Sequence, residues 1–189
     1  MARPSATILS SIAAAVLQKD RTVSKVFPFP KEIGVNGTRI ARLGEETVTR
    51  NIKYCSVWSA YNQESNLYVC GHFEGLSDRA EARAAIMYGL HDFRSFVGKG
   101  AKLDLMVAGR LYDDKLSTMR DMVCRNQEAC ISALEDSCYA LDFDISPIKI
   151  GSIGGPTIMI NGIEIEDITR YRLFKYLLKK DNSDPSVSR

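Results

Sequence analysis

Ile52-Lys53-Tyr54-Cys55-Ser56-Val57-Trp58-Ser59-Ala60 and, after a polar break over Asn62 to Asn66, Leu67-Tyr68-Val69-Cys70-Gly71-His72-Phe73 decide the fold. Both runs are rich in β-branched and aromatic residues and the break is not, so the pair predicts an antiparallel hairpin. A further strand is predicted just upstream, at Thr38 to Arg42. On the other side of the hairpin the period changes. Ser77 or Asp78 can cap a helix with Glu81 in its first turn, and Ala82, Ile86, Leu90, Phe93 and Val97 form an apolar stripe. Gly98-Lys99-Gly100 stops it.

Lys102 to Ala108 reads as the next strand, ending at Gly109. A second helix is predicted to follow Asn126 as its cap, burying Cys130, Ile131, Leu134 and Cys138. Leu141 to Ile145 alternates apolar and acidic residues, as a half-buried strand does. Thr157 to Ile160 and Ile163 to Ile165 flank Asn161-Gly162, a hairpin signal because both central positions of a type I′ turn need positive φ. Strands bracket both helices. The expected fold class is therefore α/β, a layered sandwich with a mixed β-sheet core covered by helices.

Outward from this core the ends change character. Arg3 precedes the apolar, Ser- and Ala-rich run Ile8 to Leu17, which reads as an amphipathic leader or a weak secretion signal. Phe27-Pro28-Phe29-Pro30 is extended, because each proline pushes its predecessor out of the helical region. The domains read as a leader segment over 1–30, the main domain over 31–175 and a polar tail over 176–189. The 189 residues hold 25 Lys and Arg against 23 Asp and Glu, a net charge of +2 that disfavours a dedicated nucleic-acid binder. No apolar run is long enough for a membrane-spanning helix, so membrane insertion is not expected.

Five cysteines (Cys55, Cys70, Cys124, Cys130 and Cys138) form no C-x-x-C pair, and the chain has only two histidines, His72 and His91. This argues against a disulfide framework and a metal site, and for a reducing, cytoplasmic compartment. The chemistry then falls to a thiol. A nucleophilic cysteine needs a base, and the base needs a group to orient it. Cys55 and His72 lie on the two strands of the predicted hairpin, which permits a dyad and equally permits ordinary packing. Cys70, two residues before His72 and on the same strand face, competes as the thiol. Cys124, Cys130 and Cys138 read as core or helix-packing thiols and His91 as a helix-surface histidine. Asp113-Asp114 fits a turn, and Asp142 with Asp144 a solvated strand face.

Thr49 stands six residues before Cys55, and His72 seventeen after it. With Gly100-Ala101-Lys102 opening a strand that ends Ala108-Gly109, Arg125-Asn126-Gln127-Glu128-Ala129, Leu141 to Ile145 and Gly154-Gly155, the chain from Thr49 to Thr169 resembles the CheD family of chemoreceptor glutamine deamidases. That family shares its catalytic architecture with the cytotoxic necrotizing factor toxins. The resemblance implies a CheD-like sandwich and a cysteine-dependent hydrolase in which Cys55 attacks a protein glutamine, His72 is the base and Thr49 orients it. Thr47 serves as third residue if the register slips. No cofactor is implied. The partners implied are a protein carrying the target glutamine, on a chemoreceptor or, for a secreted effector, in a host cell, and a regulatory protein in the groove.

The chain departs from the family at Lys53-Tyr54, where Gly-Ser is usual, at Phe73-Glu74-Gly75-Leu76 after His72, and at Gly109-Arg110. These changes alter the groove's rim and keep Thr, Cys and His. The second reading is a non-catalytic interaction module on the same fold.

Overall fold

A computed structural model describes residues 31–111, 117–162 and 164–168. The leader, Phe27 to Pro30, Asp113-Asp114 and the tail over 176–189 lie outside the described residues.

The hairpin forms from β4 (Ser56–Asn62) and β5 (Leu67–Phe73), antiparallel, with Val57 opposite His72 and Ser56 opposite Phe73. Its first strand begins later than the sequence predicts. Asn51 takes φ +60° and the Ile52 amide donates to the Pro156 carbonyl, so residues 52–55 form a loop leading into β4. Cys55 is the last residue of that loop.

On one side of the hairpin, β2 (Thr38–Arg42) pairs antiparallel with β5. On the other, β6 (Lys102–Arg110) pairs antiparallel with β4 and parallel with β7 (Asp144–Ile145) and β8 (Lys149–Ile153), making a mixed six-stranded sheet. A second sheet has the order β1 (Lys31–Ile33), β3 (Thr47–Thr49), β9 (Ile158–Asn161), β10 (Glu164–Asp167). Helices α1 (Arg79–Val97) and α2 (Ser117–Ala140) complete the described elements.

Strand alternation sends successive side chains to opposite faces of the six-stranded sheet. Trp58, Val69, Leu105 and Val107 meet Ile86, Leu90, Phe93, Leu134 and Cys138 from the helices, and this is the larger core. Val57, Tyr61, Tyr68, Cys70 and Ala108 meet Ile158 and Ile160 from the four-stranded sheet and Ile52 from the loop before β4. The fold is thus a layered α/β sandwich. Among the described residues helices cover one face of the central sheet and the second sheet covers the other.

Three further readings need correction. α2 starts at Ser117, so Asn126 sits inside the helix rather than capping it. Leu141 to Ile145 is extended only at Asp144 and Ile145; Asp142 takes φ +58° in the turn that leaves α2, and its carboxylate pairs with Lys99 at 3.0 Å. Asn161 pairs with Glu164 as the last strand residue of β9, which moves the turn one residue along from Asn161-Gly162. Its amide oxygen instead accepts from the Gly44 amide at 2.8 Å.

The first helix follows the sequence closely. The Asp78 carboxylate accepts from the Glu81 amide, Ala82, Ile86, Leu90 and Phe93 are buried, and Gly98 closes the helix at φ +91°.

Candidate functional site

Thr49 ends β3 of the small sheet and His72 lies near the end of β5 of the large one, so the contact between them bridges the two layers. Thr49 Oγ1 and His72 Nδ1 are 2.8 Å apart, and both residues are buried. The histidine backbone is held as well: its carbonyl accepts from the Asn36 amide at 2.8 Å and its amide donates to the Gly37 carbonyl at 3.2 Å. Ring and main chain are therefore fixed from β3 and from the turn that leads into β2. Gly71, just before it, admits the Trp58 indole so closely that a Cβ would lie 2.5 Å from the indole nitrogen.

Thr47 does a different job. Its hydroxyl meets the Tyr68 hydroxyl at 3.1 Å and accepts from Arg39 at 3.0 Å, beside Cys70. It stands two positions before Thr49 in β3, so both side chains face the central sheet, but only Thr49 reaches His72.

Cys55 precedes β4 by one residue and Val57, opposite His72, by two. This sets it diagonally across the hairpin from the histidine, 5% exposed. No hydrogen bond joins thiol and ring. Among the described residues His72 Nε2 is buried without a partner, as is the hydroxyl of Ser56, next to Cys55.

Burial pushes the Cys55 thiol up to about 11, the nearby Glu74 carboxylate adds to the effect, and the backbone amides of Lys53 and Cys55 oppose it. Burial draws His72 down to about 4, with Glu74 opposing. The resting pair at neutral pH is thus thiol and neutral imidazole. Cys70 is wholly buried and its thiol is pushed up to about 12 by burial.

Glu74, given no role by the sequence reading, and Asn126, read there as a helix cap, shape the exit from β5. Glu74 is buried and accepts from the amides of Leu76 and Ser77 at 3.0 and 3.1 Å. Asn126, fully buried in the middle of α2, donates to the Phe73 carbonyl at 2.9 Å and accepts from the Gly75 amide at 2.8 Å. An Asn buried in a helix needs such partners, and its place next to the Arg125 of the quoted motif was the available signal. Arg110, another departure from the family pattern, donates to the Ile52 carbonyl at 3.3 Å, in the loop that ends at Cys55.

The remaining cysteines are free. Cys130 and Cys138 are buried as expected, whereas Cys124 is exposed and lines a cleft of about 510 Å³ beside β8, so it is not a packing thiol. His91 is exposed on α1. Among the described residues no cluster of three or more His, Cys, Asp or Glu side chains could hold a metal ion, and no helix is long and apolar enough to cross a membrane.

Fold and geometry define a layered α/β sandwich in which a histidine hydrogen-bonded to a threonine is buried between two sheets. The chain matches no protein-family model and no curated protein.

Proposed function

We propose that the chain is a cysteine-dependent protein-glutamine deamidase with a CheD-like fold. The observation that carries the reading is the 2.8 Å contact between Thr49 Oγ1 and His72 Nδ1. With Nδ1–H donating to Thr49, the lone pair sits on Nε2, which has no other partner among the described residues. A base held in one tautomer by a third group, near a cysteine, is the arrangement nucleophilic catalysis requires.

In this reading the Cys55 sulfur attacks the side-chain carbonyl carbon of a glutamine as Nε2 takes the thiol proton. The tetrahedral intermediate collapses, His72 gives that proton to the departing nitrogen, and ammonia leaves behind a thioester. Water, deprotonated by His72, then attacks the same carbon; the carbon–sulfur bond breaks, and glutamate and the Cys55 thiol are released. The Lys53 and Cys55 amides, which already act on the sulfur, are placed to stabilise negative charge developing beside it. A neutral resting pair fits a histidine that works as general base during attack rather than a preformed thiolate. No cofactor enters the scheme.

The protein substrate is a chemoreceptor if the family likeness extends to the substrate, and a host protein if the leader directs secretion. A regulatory protein occupying the groove belongs to the same reading.

One observation favours the second reading, a non-catalytic interaction module: Cys55 is almost fully buried and its thiol is pushed up to about 11. Peptide mapping decides between them. A chemoreceptor cytoplasmic fragment and a cell lysate are incubated with wild type or Cys55→Ala, and glutamine-to-glutamate conversion is read by mass. Conversion by wild type alone supports the enzyme; identical maps support the module.

A further inference from the structure

A second feature lies on the surface beyond the exit of β5. Gly75, Leu76, Arg79, Arg125, Glu128 and Ala129 line a cleft of about 320 Å³, near the small end of the range for ligand sites and the scale of one or two side chains. Its walls come from the loop that follows His72 and from α2. Asn126 locks them together through its bonds to the Phe73 carbonyl and the Gly75 amide. The cleft is therefore a fixed surface.

Two guanidinium groups face this space. Arg79 and Arg125 are exposed, and neither makes a side-chain hydrogen bond or ion pair with the described residues. Arg83, one turn further along α1, is by contrast paired with Asp136. The Asp78 carboxylate, next to Arg79, is committed to the Glu81 amide. Glu128 brings one negative charge to the cleft, which leaves a net charge of +1 from its ionised lining side chains. That balance fits a carboxylate better than a phosphate dianion, and the planar fork of arginine matches a carboxylate edge. Leu76, 40% exposed at the rim, offers apolar contact to a residue beside that carboxylate.

We infer that this cleft is a docking site for an acidic side chain, Asp or Glu, on a protein partner. The site is independent of the chemistry at Cys55, since it is built from other residues and its occupancy is read without turnover.

Fluorescence polarisation of a labelled decapeptide alternating glutamate and alanine, added to the full chain, tests it. A second peptide carries glutamine in place of every glutamate. The glutamate peptide binds and the glutamine peptide does not; Arg79→Gln or Arg125→Gln weakens binding on the order of tenfold, the scale of one charge-assisted contact, and Glu128→Gln strengthens it. Both arginines are exposed, and unchanged melting curves show that the variants fold. Equal affinity for the two peptides, no binding of either, or indifference to both arginine substitutions overturns the inference. Displacement of the peptide by equimolar inorganic phosphate also overturns it, in favour of a small-anion site.

Discussion

The two faces of the six-stranded sheet differ in what they bury. Toward the helices it presents Trp58, Val69, Leu105 and Val107, with Ser56 and Asn62 at the two ends of β4 on the same face. Toward the second sheet it presents Tyr68, Cys70, His72 and Ser59, against Thr47 and Thr49 of β3. Nearly all of that polar set is satisfied: Ser59 donates to the Gly162 carbonyl at 2.7 Å and the Tyr68 hydroxyl to the Ile160 carbonyl at 3.1 Å. His72 Nε2 is the exception. The helical face coheres through apolar contact and leaves the Ser56 hydroxyl at its end unpartnered, while the other face leaves a histidine ring nitrogen so, and stability alone favours neither.

The comparison breaks first at its apolar side. Trp58→Ala removes the largest side chain of the helical face and should cost about 3–5 kcal/mol, read as a lower denaturant midpoint with little effect on Cys55 reactivity in the fraction still folded. An equal loss of reactivity would mean that the faces do not act separately.

Acid sharpens the other side. His72 in the folded chain is drawn down to about 4, below its ordinary 6.5, so the unfolded chain takes up a proton first as pH falls. Its contribution is complete above pH 6.5 and is lost as pH drops toward 4. This amounts to about 3 kcal/mol across that window. Chemical unfolding at several pH values should show this slope in wild type and a shallower one in His72→Gln.

Asn126→Ala leaves the Phe73 carbonyl and the Gly75 amide unpaired in a buried place, and should cost about 2 kcal/mol. It should also weaken peptide binding at the Arg79–Arg125 cleft, because the clamp fixes that wall. Smallest in stability is Thr49→Val, nearly the same shape without the hydroxyl, at about 1 kcal/mol. Its larger effect falls on Cys55 reactivity, whereas Thr47→Val should leave that reactivity unchanged.

Local signals made the frame legible. The hairpin, the β2 strand and α1 follow from residue type and period, because each is built from contacts within one element or between neighbours. What misled was tertiary. Asn126 has the chemistry of a cap, and only the approach of the Phe73–Gly75 segment gives it partners inside a helix. Leu141 to Ile145 alternates in burial because a turn at Asp142 throws it outward. The second sheet was the largest omission, since β1 and β3 have three residues each and cohere only through β9 and the central sheet. For the same reason Thr49 and Thr47 could not be separated in sequence: the choice rests on the pairing of Thr49 with Ile158 and Thr47 with Ile160, which sets which hydroxyl lies over the histidine.

The central claim is that His72, held by Thr49, acts as base for Cys55. Its most direct test is iodoacetamide labelling of the native chain between pH 5 and 8, mapped by cysteine, with exposed Cys124 as internal reference. The account predicts that Cys55 is alkylated well ahead of the buried Cys70, Cys130 and Cys138, and that His72→Gln and Thr49→Val slow it while Cys124 is unaffected. Labelling of Cys55 only as fast as the other buried thiols, or at a rate indifferent to His72, would contradict it.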